Sequence, residues 1–425
     1  EMGAAARGEI LHRAAEIFAA RRGEFIAVEA AEVGKMPSQS DPEISEAIDF
    51  IRYYALHALE LEKLEGAQFH PDEMVVVTPP WNFPIAIPTG GTVAALAAGS
   101  AVIHKPSKPT PYCSALIIDC LWEAGVPRDV LQLCAPIERE LGQHLVSHPD
   151  VDRVILTGAS ETAALFKSFR PELHVNAETS GKNALVVTPA ADRDLAVADL
   201  VYSAFGHAGQ KCSAASLGIM VGSTYDSERY RKQLIDAASS MVVDWPANLS
   251  ATMGPLTEDP SDKLRRALTT LEPGETWLLE PKQLDDTGRL WSPGIKDGSQ
   301  RDRSSTSPRC SVPSSASCTL VTSTRPSSSR TPWTSVSPAA STPSTPKRSA
   351  SGSTASRSAT RTSTAASPVR SSSVSPSAAG SSPRWVWVRR PAARTTSCSS
   401  ATTPTIRRPC PARSATGRAR ARPGR

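Results

Sequence analysis

The sequence lacks most of the features that would fix its class at a glance. Aromatic side chains make up only 5% of the 425 residues, so any core must be mainly aliphatic. No apolar run approaches the roughly 20 residues that cross a bilayer as a helix, which excludes an ordinary membrane span. The opening stretch, EMGAAARGEILHRAAEIF, carries Glu and Arg where a signal peptide would be apolar. No two cysteines form a CxxC pair and no Cys/His cluster has zinc spacing, so no metal site is expected. A GxGxxG run is also missing. The four cysteines before residue 300 (Cys113, Cys120, Cys134 and Cys212) follow no disulfide pattern, which points to a reducing, cytoplasmic setting. The chain opens on Glu1, as expected of a piece of something longer.

Charge is unevenly distributed. Residues 301–425 hold 20 arginines, one lysine and one aspartate, a net +20. Of the chain's 47 basic and 42 acidic residues, that leaves 26 and 41 for residues 1–300, a net −15. The overall +5 therefore describes neither part.

Hydrophobic periodicity gives the organisation. Residues 4–33 read as helix, with Ile10, Leu11, Ala14, Ile17 and Phe18 at helical spacing. A second helix is expected from Asp41-Pro42 onward. Short apolar strands at Met74–Val77 and Ala101–His104 then alternate with helices. The stretches TPYCSALIIDCLWEAGVPRDVLQLC, VDRVILTGASETAALFKSF and LHVNAETSGKNALVVTP continue that alternation. Such alternation, joined by short turns, predicts an α/β fold with parallel sheets and helices on both faces. After Gly298 periodicity stops, and the Ser/Thr/Pro/Arg-rich tail is expected to be disordered.

Three polar residues stand out. Cys212, in HAGQKCSAAS, follows a helix and has Gly209 and Gln210 before it and small residues after it. A reacting carbon could approach this sulfur, and backbone amides could hold an oxyanion there. The competing reading is a buried packing cysteine, and Cys113 and Cys120, seven apart on an apolar helix, take that reading. Asn82, in PPWNFP, is a polar side chain in a loop stiffened by prolines, either an oxyanion donor or a turn residue satisfying itself. Glu178, in AETSGKN, ends a strand before a Gly loop, either meeting a water or pairing with Lys182.

PWNFP, KPS after a strand, TG after a strand, ETSGKN and GQKCSA, in this order, resemble the aldehyde dehydrogenase superfamily. TSGKN and FGHAGQKCSA are similar to its L-glutamate gamma-semialdehyde (1-pyrroline-5-carboxylate) dehydrogenase branch, often fused behind a proline dehydrogenase domain. The resemblance spans roughly residues 5–298. It implies that Cys212 attacks the aldehyde, that Asn82 and the Cys212 amide hold the oxyanion, and that Glu178 activates water against the thioester. It implies NAD as cofactor, with Trp81 beside the nicotinamide, Lys105 and Ser107 near the adenosine ribose, and Gly158 and Ala159 admitting the pyrophosphate to a helix N-terminus. Ser213 would contact the substrate carboxylate. Lys108 stands where many relatives have Glu, which leaves NADP open. The implied domains are an N-terminal helical and NAD-binding part (1–177), an incomplete catalytic part (178–298) and the tail (299–425).

The tail lacks the family's remaining segments, including the one through which the family forms homo-oligomers. Residues 375–397, SPSAAGSSPRWVWVRRPAARTTS, resemble the family's QPFGGWK-SSVG-GAKAGGPNY ending read from the second base of GC-rich codons. A frameshift near residue 298 is the expectation, and with it an impaired or inactive chain. The rival is a basic arm binding nucleic acid through phosphate charge, but its aromatics are few and its arginines scattered.

Overall fold

The computed structural model describes residues 2–136 and 138–298, and beyond them the backbone of residues 317–323, 372–373 and 388–389. Three helices open the chain: α1 (Ala4–Ala20), α2 (Arg22–Val33) and α3 (Pro37–Leu61). The single helix expected over 4–33 is broken at Arg21 (φ −91°, ψ 14°), and across this break the Phe18 and Phe25 rings meet with centroids 4.8 Å apart. The helix expected from Asp41 starts earlier, at Pro37. Left-handed Gly34 (φ 65°) ends α2, and Pro37 has the fixed φ suited to a first helical turn.

The first sheet follows by strict alternation. Its elements are β1 (Met74–Thr78), α4 (Ala86–Ala98), β2 (Ala101–His104), α5 (Pro111–Glu123), β3 (Leu131–Leu133), α6 (Arg139–Ser147), β4 (Arg153–Gly158), α7 (Ser160–Phe169) and β5 (His174–Thr179). The strands are all parallel in the order β3-β2-β1-β4-β5. Side chains alternate faces along a strand, so Val75 and Val77 pack with α1, α3, α4 and α5, while Val76, Val154 and Leu156 pack with Val146 of α6 and Phe166 of α7. Burying each such aliphatic side chain stabilises the fold by about 1.5–3 kcal/mol. The strand order reverses direction between β1 and β4. In an open α/β sheet, that is where loops at the carboxyl ends of the strands leave a crevice.

The second half holds β6 (Asn183–Val187), α8 (Arg193–Phe205), β7 (Ala215–Val221), α9 (Glu228–Ser239), α10 (Asp262–Thr269), β8 (Thr276–Leu279) and β9 (Gly294–Asp297). Asp192, Ser227 and Ser261 cap the last three helices, each accepting an amide of the first turn. A further strand, β10 (Ser317–Ser323), completes the sheet β6-β7-β10-β9-β8, in which only β8 runs antiparallel to its neighbour. This corrects the expectation of disorder at these seven residues. Cys318-Thr319-Leu320-Val321-Thr322 is a run of strand-favouring residues without Pro or Arg, and the facing edges of β7 and β9 offer it backbone partners. The remaining tail readings (disorder, a frameshift, a polyanion-binding arm) lie outside the described residues. Residues 370–425 form a separate unit, in which β11 (Ser372–Ser373) pairs antiparallel with β12 (Val388–Arg389).

Between β5 and β6 the chain passes from one sheet to the other, so the AETSGKN loop lies at the junction of the two. Among the described residues, no helix is long and apolar enough to cross a membrane, and no cluster of His, Cys, Asp and Glu could hold a metal ion.

Candidate active site

Every site residue expected in the first half lies at or just past the carboxyl end of a strand of the first sheet. Trp81 and Asn82 follow β1, Lys105 and Ser107 follow β2, Gly158 ends β4, Ala159 precedes α7, and Glu178 lies near the end of β5. Lys105 is held to the sheet by its amide, which donates to the Val77 carbonyl at 2.9 Å. It is half-buried, its ammonium donates to the Pro106 carbonyl at 3.3 Å, and burial pulls its pKa below the usual lysine value. Ala159 occupies the N-cap position of α7 without a side-chain cap. The first-turn amides of that helix are therefore not satisfied by a side chain and suit an anion. A Cβ at Gly158 would meet only Leu156 Cδ1 at 3.6 Å, an ordinary contact, so packing does not require glycine there.

Cys212 and Ser213 lie in the turn between α8 and β7. The approach to this turn is strained. His207 (φ 54°) and Ala208 (φ 53°) are left-handed without being glycine, which costs on the order of 1 kcal/mol each. Their buried turn directs the His207 carbonyl at Gln210, whose amide and Nε2 donate to it at 3.0 and 3.1 Å. Burial depresses the His207 pKa first, with Lys35 and Lys211 adding to it, so the ring is neutral. On the other side of Cys212, Asn183, the first residue of β6, donates through Nδ2 to the carbonyls of Cys212 and Ala214.

Asn82, Cys212 and Glu178, singled out from the sequence, lie around one turn: Asn82 bonds to it and the charge of Glu178 reaches the thiol. Asn82 is buried, and its Nδ2 donates to the Gln210 carbonyl at 2.9 Å, two residues before Cys212. Cys212 is exposed to solvent, unlike the buried Cys113 and Cys120. The surrounding protein nonetheless raises its thiol pKa by desolvation, and the charge of Glu178 raises it further. The amides of Ser213 and of Cys212 itself lie against the sulfur and oppose that rise. Glu178 keeps access to solvent, yet the protein around its carboxyl pushes its own pKa up. A carboxyl that can pick up a proton, set within electrostatic reach of a thiol, is the pairing required to hydrolyse an acylated sulfur.

Four neighbours were not singled out from the sequence. Gln210 and Asn183 fix the backbone of the turn, and both fall inside motifs read for other residues. Lys211, beside Cys212, has its pKa drawn down to about 8, by burial first and Lys35 next. Tyr54, on α3, has its phenol pushed up to about 12 by burial, then Tyr53 and then Glu178. It lies far from the motifs along the chain, and no local pattern marks it.

This fold and site define an enzyme class, and the chain matches the model of the aldehyde dehydrogenase family over residues 1–306. The chain belongs to the aldehyde dehydrogenase family. It is 36% identical over 271 residues to 1-pyrroline-5-carboxylate dehydrogenase of Geobacillus sp. (strain WCH70), covering 60% of this chain and 52% of that one. To 1-pyrroline-5-carboxylate dehydrogenase 2 of Bacillus subtilis (strain 168) it is 34% identical over 313 residues, covering 69% and 58%. Among solved structures it is similar to Proline Utilization A from Corynebacterium freiburgense, with a TM-score of 0.73 and 48% identity over 76% of this chain and 33% of that one. It is also similar to the 1-pyrroline-5-carboxylate dehydrogenase from Thermus with bound NAD, with a TM-score of 0.69 and 29% identity over 76% and 66%. The chain spans about half the length of the curated relatives it matches.

Proposed function

We propose that the chain carries the nucleophile and oxyanion site of an NAD-dependent dehydrogenase that oxidises L-glutamate gamma-semialdehyde to L-glutamate, the second oxidation of proline breakdown. The observation carrying this reading is the meeting of Asn82, Cys212 and Glu178 at the junction of two sheets. The Cys212 thiolate attacks the aldehyde carbon, and the carbonyl oxygen takes the electron pair as an alkoxide. Asn82 Nδ2 and the Cys212 amide donate to that oxygen. Because the Asn82 side chain is pinned to the Gln210 carbonyl, little reorganisation is needed. NAD, when bound, would supply the hydride acceptor for this carbon, and Cys212 would then carry the acyl group as a thioester. Glu178 then takes a proton from water as the water attacks the thioester, and the raised pKa of its carboxyl suits it to that transfer. Ser213, next to the sulfur, contacts the far carboxylate of the substrate.

The residues present fit the cofactor. Lys105, just past the end of β2, would serve a ribose, the uncapped start of α7 suits a pyrophosphate, Trp81 and Ser107 in the loops after β1 and β2 would border it, and Gly158 and Ala159 carry no bulk to obstruct it. Exposed Lys108 next to this edge tolerates a 2′-phosphate, so NADP is the second cofactor to test. Four free thiols among the described residues fit a reducing cytoplasm. The similarity to Proline Utilization A supports a proline dehydrogenase partner, fused or associated. Because the family match ends at residue 306, overall turnover is expected to be impaired even where the chemistry at Cys212 is intact. Incubating the chain with the semialdehyde and NAD, and following both reduced cofactor and acylated Cys212 by mass spectrometry, tests the reading. Absence of any aldehyde-dependent protection of Cys212 against alkylation overturns it.

A further inference from the structure

The loop that carries Asn82 is held from behind by a buried charged cluster that the reaction does not touch. Lys35, in the link between α2 and α3, is fully buried. Its ammonium contacts the Glu43 carboxylate, lies 3.5 Å from Glu29 and donates to the Asn82 carbonyl at 3.2 Å. It also stands 4.1 Å over the ring of Phe83. Glu43, buried on α3, accepts through Oε1 the amides of Ile85 at 2.8 Å and Ala86 at 3.0 Å. The backbone is thus anchored at Asn82 and again at the entry to α4.

A second line closes the circuit. Asn82 Nδ2 donates to the Gln210 carbonyl at 2.9 Å. Gln210 Oε1 accepts the Thr257 amide at 2.9 Å, and Thr257 Oγ1 donates to the Val33 carbonyl at 3.3 Å, two residues before Lys35. Lys35, Asn82, Gln210, Thr257 and Val33 form one closed ring of contacts linking the helical hairpin, the loop after β1 and the turn before Cys212. Packing alone does not call for this arrangement, because a buried ion pair commonly stabilises a fold no better than apolar side chains of similar volume. What it supplies here is direction, fixing the carbonyl of one residue whose side chain is aimed at the nucleophile's turn.

We infer that Lys35 and Glu43 are positioning residues that hold the Asn82 side-chain amide in register with Cys212 for oxyanion support. The inference rests on the proposed reaction in assigning Asn82 to the oxyanion and Cys212 to the nucleophile. A displacement near 1 Å in such a donor typically lowers a rate by up to about a hundredfold.

The test compares two reactions of the full chain. Iodoacetamide alkylates Cys212 without forming an oxyanion, whereas p-nitrophenyl acetate acylates it through a tetrahedral one. The pair variant Lys35→Met/Glu43→Gln removes both charges together and keeps a carbonyl acceptor for the Ile85 and Ala86 amides. It is expected to slow acylation roughly ten- to a hundredfold, leave alkylation within about twofold, and add nothing further in an Asn82→Ala background, since the ring then has no donor to place. Equal loss in the parent and Asn82→Ala backgrounds, or a parallel loss of alkylation and acylation, overturns it. If the pair variant does not fold, Glu43→Gln alone is measured in the same way. A fall in acylation with unchanged alkylation supports the proposal, and no change in acylation overturns it. Cys212→Ala separates this from the underlying reading: undiminished acylation in that variant means that the proposed nucleophile is wrong, whatever Lys35 does.

Discussion

Asn82 and Gln210, 128 residues apart in the chain, share a hydrogen bond of 2.9 Å that joins the loop after β1 to the turn bearing Cys212. The bond runs from a side chain to a backbone carbonyl, so it fixes the amide group of Asn82 without using the backbone amides around the sulfur. Replacing Asn82 by Ala removes the donor and this tie together. Loss of one oxyanion donor typically costs two to three decades in rate. Asn82→Ala is therefore expected to lower acylation of Cys212 by about a hundred- to a thousandfold, measured with an activated ester. Alkylation by iodoacetamide should stay near the parent rate, and an equal loss in both reactions would assign Asn82 to structure alone.

Three of the four thiols among the described residues differ enough to be sorted chemically. Cys113 and Cys120 are buried on α5, and burial raises both, Cys120 to about 12. Cys212 is exposed and has two amides against its sulfur. Limited alkylation of the native chain, read by peptide mass spectrometry, is expected to label Cys212 before either of them. Earlier labelling of Cys113 or Cys120 would contradict the structure around α5.

Glu178 and Cys212 are coupled through charge, and the sign can be tested. A carboxylate near the thiol disfavours the thiolate and raises its pKa; burial raises it too. Alkylation of Cys212 should accelerate as pH rises from neutrality, because only the thiolate reacts. Glu178→Gln removes the negative charge, lowers the thiol pKa and moves the rate–pH profile to lower pH. At neutral pH this variant is expected to alkylate faster than the parent while an acylated Cys212 hydrolyses more slowly. A profile that stays in place, followed by stopped-flow alkylation across pH, would show that the two groups do not interact.

What the sequence showed of this site was what lies in short contiguous motifs. Asn82, Cys212 and Glu178 were each legible because local punctuation marks them: prolines around Asn82, a helix end and Gly209 before Cys212, and a strand-to-Gly-loop transition at Glu178. The alternating strands and helices from Met74 to Val187 were legible for the same reason, since their periodicity is local. Lys35 and Glu43 were not, because a charged residue in an interhelical link or on a helix reads as solvated until the fold shows that it is buried. Tyr54 lies on α3, remote along the chain from the carboxylate whose charge reaches it. The break at Arg21 was missed because the Phe18–Phe25 ring pair sets it, and the early start of α3 because Gly34 and Pro37 begin the helix ahead of Asp41-Pro42. β10 was missed because its five strand-forming residues sit in a sequence otherwise too polar to suggest a core.

Gly34 offers a stability test at the base of the same ring of contacts. It is left-handed (φ 65°), and a Cβ built on it would clash with Pro255 Cγ. A proline ring held in backbone cannot swing aside as a flexible side chain would, so Gly34→Ala adds a steric clash to the cost of a left-handed non-glycine residue. The backbone cost alone is about 1 kcal/mol, and relief of the clash must shift either the α2–α3 link or the segment carrying Pro255. Pro255 also accepts Gln210 Nε2 at 3.2 Å through its carbonyl, so that shift is transmitted to the turn before Cys212. Gly34→Ala is expected to destabilise the fold by more than about 1 kcal/mol, measured by urea denaturation, and to slow ester acylation in the fraction that remains folded. Gly23→Ala, in α2, has nothing within 4 Å of the new Cβ and serves as the matched control, with stability unchanged or slightly improved. Equal stability of the two variants would mean that the approach of Pro255 to Gly34 is looser than the structure shows.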